Sequence, residues 1–201
     1  IPLLKKQDGD GFLFPRVFVD APTSRELNII GHIIPQDYDL IIHMAAWTDV
    51  VRAEVERDAC FEVNVEGTIN LARAYQDIPF VFNSSEYAHN PVNFYSLTKW
   101  LGELAVNELC EKAFIIRTLF KPVPFPYKKA FMDQWTQGDE VTTIAPLICN
   151  AIFDWYGGES KMQYIGTGRK TIYDIAVKSK PDIEGCSIAE VKGVRLPRDY
   201  E

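Results

Sequence analysis

Three residue types in the middle of the chain could together transfer a proton to a carbonyl group. Tyr95 and Lys99 lie one helical turn apart in "NPVNFYSLTKWLGELAV" (90–106), and Ser85 ends the preceding apolar run. A free phenol has a pKa of about 10 and is a poor acid or base at neutral pH. A nearby ammonium group stabilises the phenolate and lowers that pKa, while a serine hydroxyl can hold the carbonyl oxygen. The three residues predict a site that reduces a ketone or oxidises an alcohol.

The spacing alone also fits an ordinary helix surface. Tyr95 and Lys99 share one face of a helix, but many solvent-exposed helices carry such a pair. The apolar residues on roughly the opposite side are expected to anchor this helix to a sheet: Leu97, Leu101 and Leu104. The preceding strand favours the catalytic interpretation, because it ends in Ser84-Ser85 and open α/β sheets bind ligands at the carboxyl ends of their strands.

Apolar runs of strand length alternate with helical patterns up to residue 120. The predicted strands are "RVFVD" (16–20), "YDLIIHMAAW" (38–47), "IPFVFNSS" (78–85) and "AFIIRTLF" (113–120). A long helical pattern occupies 53–77, and the Tyr95 helix follows the third strand. Strands and helices that alternate at this spacing predict βαβ units and a parallel sheet. The predicted fold class is therefore α/β, with a Rossmann-like doubly wound parallel sheet.

The pattern changes after residue 120. "KPVPFPY" contains three prolines, and a helical pattern at 143–156, a turn "GTGRK" and a short helix from Thr171 follow. These features predict two units: an α/β domain over 1–120 and a small irregular lobe over 121–201, packed on the carboxyl edge of the sheet.

Composition excludes several classes of protein. The net charge is −7, and no basic block or cluster of arginine and aromatic residues indicates a nucleic-acid partner. No apolar stretch reaches the roughly 18 residues of a membrane span. The cysteines are Cys60, Cys110, Cys149 and Cys186. They contain no CxxC pair and suit neither a metal site nor a disulfide framework, so we expect buried free thiols in the cytoplasm.

The motifs around the three residues resemble the extended short-chain dehydrogenase/reductase family. The resemblance rests on "DLIIHMAAWTDVVRAE", "FEVNVEGTINLARA", "NSSEY" and "PVNFYSLTKWLGE", in that order, and covers about residues 16–120. It returns faintly at "GTGRKTIYDIA" and "RLPRD". Within the family, the chain is most similar to dTDP-4-dehydrorhamnose reductases and to NAD-dependent epimerases and dehydratases. The first unit would then be a truncated NAD(P)-binding domain and the second a substrate-binding lobe.

The resemblance implies roles for individual residues. Tyr95 matches the proton donor and acceptor, and Lys99 matches the lysine that also holds the nicotinamide ribose. Ser85 matches the serine of the catalytic triad, with Ser84 a weaker candidate. Besides Tyr95 and Lys99, the positions implied to bind NAD or NADP are Asp20, Ala21, Ala45, Ala46, Asn64, Thr118 and Leu119. From the residues alone, Asn64 could instead satisfy buried backbone groups and Asp20 could cap a strand.

One feature of dinucleotide-binding domains is absent. Such domains open with a glycine-rich turn that lets the backbone approach the pyrophosphate. The nearest stretch, "DGDGFLF" (8–14), has two glycines at the wrong spacing. Because the sequence also starts at Ile1, we expect that about thirty or more residues, roughly one βαβ unit, precede it. We also expect this chain to bind NAD(P) weakly or not at all.

The resemblance implies an NAD(P)-dependent oxidoreductase that reduces a 4-keto group of a nucleotide-activated sugar. Epimerases and dehydratases that retain NAD use the same triad and remain an alternative. A non-catalytic nucleotide-binding subunit is the alternative from another class. A nucleotide-sugar substrate is the expected small-molecule partner, a homodimer is open, and neither a metal nor a membrane partner is expected.

Overall fold

The computed structural model describes residues 38–200 and the backbone of three short segments, 5–6, 12–13 and 17–20. Its main sheet has five parallel strands that lie side by side in chain order. They are β1 (Val17–Asp20), β2 (Leu40–His43), β3 (Phe80–Ser85), β4 (Ala113–Thr118) and β5 (Lys161–Tyr164). The short strands pair outside this sheet: Lys5–Lys6 with Phe12–Leu13, Phe120–Lys121 with Asp139–Glu140, Lys129–Phe131 with Glu184–Cys186, and Trp135–Thr136 with Lys170–Thr171.

Six α-helices are present in the described residues. They are α1 (Val50–Ala53), α2 (Arg57–Phe61), α3 (Gly67–Ala74), α4 (Phe94–Leu109), α5 (Val141–Trp155) and α6 (Ile172–Ser179). A π-helical turn, Glu62–Glu66, joins α2 to α3, and single 3₁₀ turns occupy Glu86–Ala88 and Ile188–Glu190. The helix pattern predicted over 53–77 is therefore broken into pieces. Its π turn contains Asn64, which faces the interior.

Helices cover both faces of the sheet, as a doubly wound fold requires. On one face, Phe80 and Phe82 of β3 pack in an apolar cluster with Leu71 of α3 and Val106 of α4. On the other face, a second cluster includes α5 and its residue Ile144. Alternate residues of β2, β3 and β4 supply the two clusters, because successive side chains of a strand point to opposite faces. The predicted fold class is confirmed.

The prediction about the leucines of α4 is wrong. Leu97 and Leu101 are only half-buried, and Leu104 is 44% exposed. The face of α4 that packs on the sheet is mostly polar or small instead, and consists of Ser96, Lys99, Gly102, Glu103 and Val106. The physical reason is that the inner side of this helix must supply partners for polar groups at the end of β3 and on β4.

The part of the chain after β4 contributes both to the main sheet and to a separate apolar cluster. Helix α5 and strand β5 return to the main sheet, where β5 pairs with β4. The remaining segments share a separate apolar cluster whose members include Phe125, Ile175 and Ile183. The division at residues 120 and 121 stays a prediction, since α5 and β5 pack with the first unit.

The cysteines are free, and three of the four are buried; Cys149 is half-buried. The thiol prediction is thus confirmed for Cys60, Cys110 and Cys186. Within the described residues, no helix has the length and apolar character needed to cross a membrane.

Candidate active site

The candidate site lies where parallel strands end at one edge of the sheet. Ser85 and Thr118 are the last residues of β3 and β4 and are paired in register. Ala45 and Ala46 follow β2 in an irregular segment, and Ala45 is 9% exposed. Asp20 ends β1 and pairs with His43, whereas Ala21 lies outside the described residues. The strand ends named by the sequence therefore meet at one edge.

Ser85 and Tyr95 are brought together at this edge. Helix α4 starts at Phe94 with a capping box between Asn93 and Ser96, which places Tyr95 in the first turn. The Ser85 hydroxyl accepts a hydrogen bond from the Tyr87 backbone N–H at 3.3 Å, and it lies near enough to the Tyr95 phenol to favour the phenolate form. Burial and the nearby Cys60 raise the pKa of Tyr95 to about 12, with Ser85 acting in the opposite direction. Burial decides the direction, so the net shift is upward, opposite to the one expected from a nearby ammonium group.

Lys99 lies on the buried face of α4, and only 2% of it is exposed. Its ammonium nitrogen is 4.3 Å from the centroid of the Phe82 ring. Burial lowers the pKa of Lys99 to about 8, although Glu103 and Cys60 partly oppose this. No carboxylate of the described residues lies within ion-pair distance of the ammonium group. Lys99 is therefore an ammonium group held mainly by an aromatic ring.

Asn64 connects three elements behind the site. Its Oδ1 accepts a hydrogen bond from the Trp47 backbone N–H at 2.7 Å, and its Nδ2 donates to the Trp47 carbonyl at 3.3 Å. The same Nδ2 donates to Thr98 Oγ1 at 2.9 Å. Asn64 thus fixes the segment after β2 against α4 through the interior, which is the structural alternative that the sequence left open.

Ser84 belongs to a different network from Ser85. Its hydroxyl donates to Glu103 Oε1 at 2.5 Å, and Arg117 of β4 makes a two-point ion pair with the same carboxylate, at 2.9 and 2.6 Å. Arg117 also donates to the Tyr164 hydroxyl at 2.9 Å. Both carboxylate oxygens of Glu103 are therefore engaged by residues of β3 and β4. The preference for Ser85 over Ser84 as the site serine agrees with this geometry.

The end of β4 carries the small lobe. The Thr118 hydroxyl donates to the Ile165 carbonyl at 2.8 Å. A Cβ at Gly138 would lie 2.2 Å from the Leu119 carbonyl oxygen, so only glycine permits this close approach. Glu86, which follows Ser85, is fully buried, accepts a hydrogen bond from the Gln137 backbone N–H and leaves its Oε1 without a partner. Burial raises the pKa of Glu86.

Sequence reasoning missed three residues that surround Lys99. Phe82 of β3 and Cys60 of α2 are brought to Lys99 only by the fold, whereas Glu103 lies one turn after Lys99 on α4. The alternation of β3 could have predicted the position of Phe82. Residues two positions apart in a strand share a face, and Ser84 faces α4. No local pattern identifies Cys60.

The parallel sheet and the helices on both of its faces define a Rossmann-like α/β protein. Residues 21–145 match the family model described as the RmlD substrate binding domain, and the chain belongs to this family. The resemblance to extended short-chain dehydrogenases/reductases inferred from the sequence is confirmed.

Individual relatives are similar over parts of the chain. Methionine adenosyltransferase 2 subunit beta of Bos taurus is 27% identical over 206 residues, covering 78% of this chain and 61% of that protein. dTDP-4-dehydrorhamnose reductase of Mycolicibacterium smegmatis is 33% identical over 97 residues, which are 40% of this chain and 30% of the relative. The chain thus spans less than two thirds of the length of these curated relatives.

A solved structure supports the fold. dTDP-4-dehydrorhamnose reductase from Bacillus anthracis, in complex with NADP, superposes with a TM-score of 0.67 at 24% identity. The match covers 82% of this chain and 70% of that structure. At this identity the likeness establishes the architecture of the sheet and its helices.

Proposed function

We propose that the protein is an NAD(P)-dependent oxidoreductase that reduces the 4-keto group of a nucleotide-activated sugar. The observation that carries this proposal is the placement of Ser85 at the end of β3, beside Tyr95 in the first turn of α4 and one turn before a buried Lys99. Family membership and the NADP-bound relative support it. The reaction is proposed for the whole protein, of which this chain covers only part.

The side chains divide the work of reduction. The nicotinamide cofactor, when bound, supplies the hydride. Tyr95 donates its phenolic proton to the carbonyl oxygen, and its raised pKa of about 12 keeps it protonated at neutral pH. Ser85 orients the same oxygen by hydrogen bonding. Lys99 places a positive charge one helical turn away, which stabilises the phenolate that remains.

The residues present fit the nicotinamide half of a dinucleotide. Ala45 and Ala46 are small residues at the strand edge, and the buried Glu86 beside Ser85 has an unsatisfied oxygen. Tyr95, Lys99 and Thr118 would hold the nicotinamide ribose and ring, with Leu119 beside them. Asp20 and Ala21 would lie nearer the adenine, and Asn64 would act from behind by fixing the segment that carries the alanines.

We further propose that residues 121–201 include the substrate-binding lobe. The separate apolar cluster around Ile175 supports a unit of its own, and Gly138 seats it directly against the end of β4. A cytoplasmic location and a homodimer remain proposals from the resemblance. Epimerases and dehydratases with a retained NAD would use the same three side chains.

One alternative has a specific observation in its favour. The match to methionine adenosyltransferase 2 subunit beta extends over 78% of this chain, more than the match to the reductase from Mycolicibacterium smegmatis. A nucleotide-binding subunit of a larger enzyme, without turnover of its own, is therefore the second candidate function.

The test measures NADPH and NADH oxidation with a dTDP-4-keto-6-deoxy sugar, together with cofactor binding by calorimetry. Tyr95→Phe should lower turnover at least about a hundredfold, the usual contribution of a positioned general acid. Tyr127→Phe is the matched control, because Tyr127 is 60% exposed and distant in sequence. Cofactor binding without turnover would favour the subunit alternative. Equal turnover of wild type and Tyr95→Phe would contradict the proposed role.

A further inference from the structure

The Phe82 ring lies against the Lys99 ammonium group. The ammonium nitrogen lies 4.3 Å from the ring centroid, and both residues are buried, at 2% and 0% exposure. A cation over an aromatic face is attracted by the electron density of the ring, more strongly when water is excluded. Glu103, one turn further along α4, is already engaged by Arg117 and Ser84.

The position of the Phe82 ring is fixed from two sides. Gly102 lies against it, and a Cβ at this position would meet Phe82 Cζ at 2.8 Å. The ring of His43 packs 5.5 Å from it, centroid to centroid, and His43 Nε2 is 2.9 Å from the Thr68 hydroxyl. Glycine inside a helix is unfavourable by about 1 kcal/mol relative to alanine. Gly102 offsets this cost in α4 because it leaves room for the Phe82 ring.

We propose that Phe82 is a positioning residue that holds the Lys99 ammonium group by a cation–π contact and favours its charged form. The inference rests on the proposed function, in which Lys99 stabilises the Tyr95 phenolate. A carboxylate partner would neutralise that positive charge, whereas an aromatic ring stabilises the ammonium group without adding a negative charge. Phe82 therefore keeps Lys99 charged and still available to the phenol and to a bound ligand.

Several titratable groups face Lys99 or its ring. Tyr95 and Glu103 come from the same helix, Cys60 comes from α2, and Arg117 of β4 acts through Glu103. His43 of β2 packs on the ring. Burial lowers the pKa of Lys99 to about 8, and Glu103 and Cys60 oppose the shift. Loss of the ring removes a further group that favours the ammonium form, so the pKa should fall.

The test titrates the Lys99 ammonium group by NMR with isotope-labelled lysine, assigned by comparison with Lys99→Arg. In Phe82→Met the pKa should fall by about one unit, as expected from the strength of a buried cation–π contact. Phe80→Met is the matched control. Phe80 lies on the same strand and face and in the same apolar cluster, and its ring also packs near His43. Its replacement should leave the Lys99 pKa within about 0.2 units.

Difluorophenylalanine at position 82 keeps the ring and weakens only its electron density, so it tests the contact even if Phe82→Met does not fold. It should lower the Lys99 pKa, while the same substitution at position 80 should not. Equal shifts at the two positions, or none at position 82, would overturn the proposal. Because the titration needs no turnover, a shift specific to position 82 in a protein that fails to oxidise NADPH would reject the proposed function alone.

Discussion

Lys99 and Asp139 are both almost completely buried, at 2% and 3% exposure, but they are stabilised in opposite ways. Lys99 lies between α4 and the sheet. Its ammonium group contacts the Phe82 ring, and no carboxylate of the described residues is within ion-pair distance of it. Asp139 lies in the short strand directly before α5 and is surrounded by hydrogen-bond donors. The Lys178 ammonium contacts both carboxylate oxygens, at 2.6 and 2.7 Å, and the Thr167 hydroxyl donates to Oδ2 at 2.8 Å.

The two surroundings have different consequences for proton binding. Burial alone would raise the pKa of Asp139, but hydrogen bonds from Lys178, the Glu140 backbone N–H and Thr167 lower it to about 2. Burial of Lys99 is only partly compensated, and its pKa falls to about 8. A buried charge with full partners is fixed and structural. A buried charge with incomplete partners has a pKa closer to neutral pH and can interact with a ligand.

Lys99→Met gives the largest expected effect and tests whether this charge serves chemistry rather than folding. Turnover should fall at least about a hundredfold, because the phenolate loses its nearby cation. The free energy of unfolding should stay unchanged or rise by about 1 kcal/mol, since an apolar side chain of similar length replaces an incompletely compensated buried ammonium group. Urea unfolding and NADPH oxidation measure the two quantities. A large loss of stability in this variant would mean that Lys99 and Asp139 have the same structural role.

Asp139→Asn should have the opposite result. The free energy of unfolding should fall by about 3 kcal/mol, because the buried carboxylate is lost and Lys178 is left without its partner. Glu184→Gln is the control. It removes the same charge from the ion pair with Lys129, but both side chains are largely exposed and the pair is screened by water. A loss no greater than that of Glu184→Gln would show that the Asp139 network does not hold the small lobe.

The smallest expected effect is the change in the free energy of unfolding at acid pH. The pKa of Asp139 is lowered in the folded state to about 2, from about 3.9 in the unfolded chain. The contribution of Asp139 is therefore complete above about pH 4. It is lost as the pH falls from about 4 to about 2, by roughly 2 to 3 kcal/mol in total. The difference in unfolding free energy between wild type and Asp139→Asn should shrink over this window. A constant difference would place the carboxylate outside the network.

The sequence by itself determined the sheet, and it predicted the main site residues. The apolar runs of β2, β3 and β4 are strong signals, because strands buried on both faces lack polar alternation. The serine at the end of β3 and the Tyr95–Lys99 spacing then follow from topology, since parallel strands end at one edge. The order of motifs also identified the family.

Only the tertiary structure decided how the site is supported. The leucines of α4 match an anchoring stripe, yet the helix turns Lys99 and Glu103 inward, because Ser84 and Arg117 need a buried acceptor. The contact between Phe82 and Lys99 joins residues from different elements, and so does the Asp139–Lys178 pair. Local patterns carry information about period and chain direction. The environment of a buried charge depends on which distant side chains the packing brings within a few ångströms of it, and this sets whether the charge is structural or reactive.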